Sequence, residues 1–409
     1  MANANTSNFL VSESHLALSD ARNQKAEKFK DVGEPLQLQG KAIAIEVTGN
    51  DAWIGDNTTV ARKVDLESGK TLQVYAGHRG PVSALALWSS PAGEILITGS
   101  WDKTIKLWDT NTKQIISSTD AHSDFVKSLL VYPSLNILVS GSSDKIVRFW
   151  DLTSALSGQP LTSVGSISTH TRPVECLDGQ ATGENSAELC TGDTMGVINL
   201  WTLAREEGNT ADVAPRWKST LKEQFKHHRT KITELKYRNG SLWTASLDET
   251  VQILSTNSPS PSIPASITHP TGVRALLSLS LTPLAEPYLI TGSGDILRVY
   301  DVSSLKEPEL VNEIEGHWHD VTAIRLWIRK STIEAEDGTK KTSVEPWVVS
   351  TSLDETVRRW RLGDLLTPKP KSVEHKKVSS QPTPEAVKET SSSGLTAEEE
   401  AELAELMDD

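Results

Sequence analysis

The chain has 409 residues, with 41 Lys and Arg against 54 Asp and Glu and a formal net charge of −13, which disfavours a generic nucleic-acid binder, since phosphate contacts need clustered cations. Two cysteines are too few for a disulfide framework or a zinc site, and no metal or cofactor is expected. No apolar run approaches the ~18 residues of a membrane span, and the opening MANANTSNFLVSESH lacks the basic and apolar regions of a secretory signal.

Residues 1–34 are polar and mixed in charge and read as a partly disordered extension, with a helix over LSDARNQKAEKF (18–29) capped at Ser19. LQLQ (36–39) is a lone strand, and 42–66 reads strand, turn, strand, turn, strand. A unit then recurs. TGSWDKTIKLWDT is followed by VSGSSDKIVRFWDL (139–152), CTGDTMGVINLWTL (190–203), TASLDETVQILST (244–256), ITGSGDILRVYDV (290–302) and STSLDETVRRWRL (350–362). Each has an apolar strand, small residues, an Asp in a tight turn, and a strand alternating apolar and polar residues, the pattern of a half-buried strand. A His precedes each unit, at His78, His122, His170, His228, His269 and His317, spaced 44, 48, 58, 41 and 48 residues apart. Such spacing fits four-stranded propeller blades with insertions.

On these motifs the chain resembles the WD-repeat β-propeller family over residues 35–364. The resemblance implies an all-β fold: a seven-bladed β-propeller of four-stranded antiparallel blades, closed by an N-terminal strand, with disordered tails. The blade at 42–66 lacks the Trp-Asp pair but keeps the strand pattern. The resemblance also implies that 36–39 completes the blade whose inner strands lie in 318–362, which would remove open sheet edges.

The family's buried hydrogen-bonded chain carries over as the pairs His78 with Asp102, His122 with Asp144, His170 with Asp193, His228 with Asp248, His269 with Asp295 and His317 with Asp354. Its Trp is present at 108, 150, 201 and 360 and replaced near Ile253 and Tyr300. A buried imidazole and carboxylate are tolerable only when mutually satisfied. Six copies of one pair are structural rather than catalytic, no singular nucleophile stands out, and no catalytic residue is assigned.

Family topology puts the short connections on a top face, with Arg79, Trp101, Lys103, Asp124, Phe125, Lys145, Arg172, Arg229, Lys231, Arg274, Trp318 and His319 exposed there. Of these, Trp101, Arg79, Phe125, Arg172, Arg229, Lys231, Arg274 and Trp318 are the expected partner contacts. For Trp101 two placements stay open: an exposed anchor on the rim, or a ring lying flat on a neighbouring blade. The long connections 178–187, 203–218, 255–266, 279–287 and 330–345 belong to the bottom face. The segment FKHHRTKITELKYR (225–238) is the most basic of the ring.

Residues 365–394 have the composition of a disordered linker. In LTAEEEAELAELMDD (395–409), Thr396 and Glu399 form a capping box for a short acidic helix with an apolar stripe that includes Leu403, Leu406 and Met407. This tail suits a basic partner protein, or serves only solubility. The expected function is a non-enzymatic scaffold or adaptor, cytoplasmic or nuclear and not membrane-bound. It assembles a multiprotein complex through its top face and acidic tail. The alternatives are an RNA-associated or ribosome-assembly factor and a ubiquitin-ligase substrate receptor. The last is weakened because Asn111 and Thr153 stand where an adaptor-docking Arg is expected.

Overall fold

The computed structural model describes residues 13–91, 93–206, 216–256, 265–334 and 340–367. The linker beyond residue 367 and the acidic tail, with Leu403, Leu406 and Met407, lie outside these residues, whereas the expected linker start at 365 is corrected: a short helix Leu362–Leu366 buries Leu365 in the core.

Alternating residues drive the strands into sheets, and the sheets into a ring. Seven four-stranded antiparallel sheets occupy residues 42–76, 82–120, 126–167, 174–225, 232–268, 273–315 and 321–361, numbered here as blades 1 to 7. Each blade buries apolar residues against the next. Ile97, Ile105 and Leu107 of blade 2, for example, form one core with Val126, Leu138 and Trp150 of blade 3. At about 25 cal/mol per Å² of apolar area buried, these seven interfaces, rather than any one sheet, hold the fold.

Blade 7 has only three strands of its own, and its outer strand comes from the start of the chain. Leu36 lies opposite Val357, Gln37 lies opposite Thr356, and the Leu38 N–H donates to the Glu355 carbonyl at 2.8 Å. The expected closure by 36–39 is therefore observed.

The helix ahead of this strand runs Glu13–Lys28, so it starts before Ser19, and Ser19 lies inside it rather than at its cap. Its end is fastened to the ring. Lys25 forms an ion pair with Asp295, and Lys28 lies 3.4 Å from Glu315. Phe29 is buried, and the Arg358 guanidinium donates to the carbonyls of Phe29, at 2.8 Å, and Val32. Gly33 then lets the chain pass against Trp360 with φ +72°, a left-handed conformation that disfavours a side chain.

Three of the connections expected to be bottom-face loops are longer hairpins instead. Val174–Gly183 and Ser186–Asp193 stay paired to Gly183↔Ser186. Val321–Glu334 and Lys340–Ser352 stay paired to Glu334↔Lys340, and Ile198–Glu206 pairs with Arg216–Phe225 to Glu206↔Arg216. Pairing satisfies backbone groups that a loop would leave to water, so these insertions extend the ladder. Among the described residues, no helix is long and apolar enough to cross a membrane.

A Cβ on Gly33 would stand 2.5 Å from the Trp360 ring, whereas one at Gly49, also left-handed, would meet nothing within 4 Å. Gly33→Ala is therefore expected to lower unfolding stability by roughly 2–4 kcal/mol and Gly49→Ala by about 1 kcal/mol. Urea denaturation checks this, and equal losses would show that the Gly33–Trp360 contact does not hold the closing segment.

Candidate functional site: the top face and the mouth of the channel

The His and turn-Asp side chains mark the top face. In blade 2 the Trp108 Nε1–H donates to Thr98 Oγ1 at 2.8 Å, Thr98 lies 2.7 Å from His78 Nε2, and His78 Nδ1 lies 2.9 Å from Asp102. An ionised carboxylate only accepts, so Nδ1 carries the proton and Nε2 accepts from the threonine hydroxyl. Blade 3 repeats this chain as Trp150, Ser140, His122 and Asp144, and blade 7 as Trp360, Ser350, His317 and Asp354. Blade 5 has His228 with Asp248 at 3.1 Å and Thr244 at 2.8 Å, and Leu254, paired with Leu242 as Trp108 is with Leu96, stands in the Trp position rather than the neighbouring Ile253. Burial alone would raise the Asp144 carboxyl; the His122 hydrogen bond and charge, with backbone N–H donors, outweigh it and bring it down to about 2.

Two expected pairs do not form. Asp193 follows Thr191 by two residues, the place Ser100 holds after Thr98, so Met195 stands where the other turns have Asp. Asp193 accepts instead from the backbone N–H of Met195 and Val197, and among the described residues His170 hydrogen-bonds to Thr191, at 3.2 Å. In blade 6 the segment from Thr291 to Tyr300 is one residue shorter than Thr98 to Trp108. Its turn closes at Ser293↔Ile296, and Asp295 turns outward to Lys25. His269 Nε2 lies 2.9 Å from Thr291, while its Nδ1 is buried without a partner among the described residues.

The mouth of the central channel arises from one irregularity repeated seven times. The pairing of every inner strand slips just after its first residue, as at Val82/Ala84 and Val126/Ser128, and the extra residue of the bulge faces the channel. These residues are Ile43 in blade 1, then Ser83, Lys127 and Glu175, then Thr233, Arg274 and Thr322 in blade 7. The Ser83 and Thr233 hydroxyls donate to the carbonyls of Val126 and Val273 in the next blade and so stitch neighbours together. Arg274 forms an ion pair with Asp320 at 2.8 Å, and Lys231 one with Glu175 at 3.2 Å.

Trp101 covers this mouth. It is 6% exposed, stacks on Phe125 of blade 3 (centroids 5.0 Å apart, planes at 15°), and shares an apolar cluster with Ile43 of blade 1 and Leu353 of blade 7. The exposed rim placement is thus corrected; the ring lies flat because the mouth is narrow enough for one indole to reach across it. Lys127 Nζ sits 4.9 Å over the indole. Lys231, also expected at the surface, is buried because it neutralises Glu175. His319 is buried as well, and Phe125, Arg274 and Trp318 are half-buried. Arg79, Arg172 and Arg229 are exposed, as are Lys103 and Lys145, whose left-handed turn positions (φ 72° and 68°) present their side chains outward. A basic arc therefore runs over blades 2 to 5.

Below the mouth the channel widens to a cavity of about 440 Å³ whose charges are paired: Arg325 with Glu234 at 2.8 Å and Glu46 at 3.4 Å, and Arg238 with Asp178 at 3.0 Å. Sequence reading passed over Lys127 and Glu175. Their signal was present, since each follows the first Val or Ile of an inner strand, in FVKSL and PVECL.

The WD domain, G-beta repeat family model matches residues 69–109 and 113–151, which fall on blades 1 to 3. A WD repeat-containing protein of Schizosaccharomyces pombe is 28% identical over the full length of both chains. The ribosome biogenesis protein BOP1 homolog of Culex quinquefasciatus is 38% identical over 73 residues, 17% of this chain and 8% of that one. The crystal structure of the computationally designed Ika8 protein superposes with a TM-score of 0.53 at 22% identity, covering 78% of this chain and 83% of that one, a likeness of fold alone. The chain thus carries matches to the WD repeat in blades 1 to 3 and folds as a seven-bladed β-propeller.

Burial holds His170 and His269, which lack a carboxylate partner, down to about 4, and nearby Arg298 adds to the effect on His269. Their folded values lie below the ordinary 6.5, so the stability linked to their neutral forms is complete above about 6.5 and is lost as pH falls towards 4. The double variant His170→Gln/His269→Gln is expected to lose less thermal midpoint between pH 7 and 5 than the parent, by about 2 °C or more. Parallel pH profiles would contradict this assignment.

Proposed function

We propose that the protein is a non-enzymatic scaffold whose top face holds an acidic segment of a partner protein within a multiprotein complex. One observation carries this reading: the basic arc of Arg79, Lys103, Lys145, Arg172 and Arg229 on a chain whose net charge is −13. The Arg79 and Arg229 backbone N–H groups donate to Asp102 and Asp248, so two of these cations stand on turns whose backbone is fixed before a partner arrives. Summed fields of this kind steer oppositely charged partners and set specificity. The acidic C-terminal tail supplies a second contact, for a basic protein, and linking two weak contacts raises avidity.

A second reading is an RNA-associated ribosome-assembly factor in the nucleus. The same arc favours it, as does the short likeness to a ribosome biogenesis protein.

Affinity purification with the parent chain and with Arg79→Glu/Arg172→Glu/Arg229→Glu separates the two readings. The triple variant is expected to lose the protein partners, by about tenfold or more in direct binding, with recovery from the parent indifferent to RNase. Recovery abolished by RNase supports the RNA reading. An unchanged set of partners with the triple variant overturns the top-face reading.

A further inference from the structure

The basic arc has a complement within the chain itself. Among the described residues, the exposed side chains of Arg79, Lys103, Lys145 and Arg172 form no ion pair, and that of Arg229 donates to the Asp248 carbonyl at 3.2 Å. The turn carboxylates of Asp102, Asp144 and Asp248 face inward to His and backbone donors, so an approaching segment meets the cations first. One half-buried carboxylate, Asp124, lies within the arc, and Glu249 closes its far end, in the turn place that Lys103 and Lys145 hold in blades 2 and 3. The arc also carries an apolar group. Met195 is 51% exposed on the top turn of blade 4, whereas Leu72, Ile115, Leu221 and Leu310, of similar exposure, lie on outer strands. The Thr194 N–H donates to the Pro173 carbonyl at 3.3 Å, and Gly196 lies against the His228 backbone, so Met195 stands between the turns of Arg172 and Arg229. An exposed Met flanked by cations is a soft apolar contact that adapts to what covers it.

The acidic tail has the same two properties with the charge reversed. Residues 395–409 hold seven acids and no Lys or Arg, spaced around Leu403, Leu406 and Met407. Thr367, where the described chain ends, is held at the ring by Asn312 of blade 6, whose Nδ2 donates to its carbonyl at 3.1 Å. The 27 residues 368–394 span up to about 90 Å when extended, several times the ~20 Å radius of gyration of a ring of this size, so the tail can reach every blade. We propose that in the free protein the chain's own acidic tail occupies the arc: its carboxylates pair with Lys103, Lys145, Arg172 and Arg229 while the apolar residues of 403–407 cover Met195. Tail and arc then mask each other. An acidic partner must displace the tail, and a basic partner that takes the tail uncovers the arc, so each contact promotes the other. The inference rests on the arc of the scaffold reading and needs no partner. Tethering raises the local concentration of the tail to the order of millimolar, so a weak contact suffices. The rival cations are Lys369, Lys371, Lys376 and Lys377, nearer to the tail in sequence.

The test is carbodiimide cross-linking of the full chain at low salt, which joins a carboxylate to an amine where the two pair, on an equal mixture of ordinary and heavy-nitrogen protein. Peptide mass spectrometry is expected to find amide links from residues 398–409 to Lys103 and Lys145 within chains of one isotope. Their yield is expected to fall about tenfold in about 1 M salt, where the Debye length is ~3 Å. Met195→Ser, a change at an exposed side chain, is expected to lower the yield about threefold. Tail links confined to the linker lysines overturn the proposal, as do links that pair the two isotopes as often as chance, which assign the arc to the tail of a second copy. Anisotropy with fluorescein-labelled hexaglutamate separates this inference from the acidic-partner reading. Neutralising the tail in the full chain, as Glu398→Gln/Glu399→Gln/Glu400→Gln/Glu402→Gln/Glu405→Gln, is expected to tighten hexaglutamate binding about fivefold, a gain that damage to the fold does not produce. Equal affinity in parent and variant, lost in both when the arc is reversed, overturns the masking and leaves the acidic-partner reading standing. If neither form binds hexaglutamate while the links to Lys103 and Lys145 persist, the acidic-partner reading fails and the masking stands.

Discussion

The whole surface depends on closing a ring whose two ends are not covalently joined. Six of the seven blades are antiparallel sheets of consecutive strands that could pair locally, but the channel mouth draws one residue from each of the seven. It has its shape only when blade 7 packs against blade 1. That closure rests on a strand of two paired residues, Leu36 and Gln37, which would be weak by itself. Neighbouring contacts reinforce it. Arg358 reaches carbonyls at the end of the N-terminal helix, Arg359 reaches those of Leu66 and Glu67 in blade 1, and Trp360 lies against Gly33. Three consecutive side chains on the last strand therefore tie the start of the chain, the first blade and the last blade together.

The polar chains inside the blades show how one pattern is kept or redirected. Where Asp, His, hydroxyl and Trp all stand in register, each of these four side chains has a partner within the chain they form and the turn above is fixed. Where the carboxylate is displaced, it is used elsewhere: Asp295, freed by a shortened turn, holds Lys25 of the closing helix. Asp193 stabilises its own turn and leaves Met195 exposed at the top of blade 4. The irregular blades are thus the ones that give the top face features the regular ones lack.

Much of the fold was legible because its determinants are local. The His, the turn Asp, the hydroxyl and the Trp recur at fixed offsets within a blade, and the strand at 36–39 announced itself by having no local partner. Composition patterns could not register a shift of two residues in Asp193 or a deletion of one residue before Tyr300, since both segments still contain an Asp in a turn. The burial of Trp101 was beyond sequence reading for a different reason. It depends on Phe125, Ile43 and Leu353, which come from three other blades, and on a mouth width that exists only after closure. Lys127 and Glu175 were visible as bulge residues only when all seven inner strands were set in register, and then as a ring rather than as a motif.

Ring closure can be separated from blade formation by hydrogen–deuterium exchange on the parent chain and on Leu38→Pro, which removes the donor to Glu355 at the closing strand. If the mouth is a property of the closed ring, the substitution will speed exchange in the top turns of all seven blades, including 99–104 and 141–145, far from the altered residue. Faster exchange confined to 321–361 and the N-terminal strand would contradict the account, because the top face would then keep its form without closure.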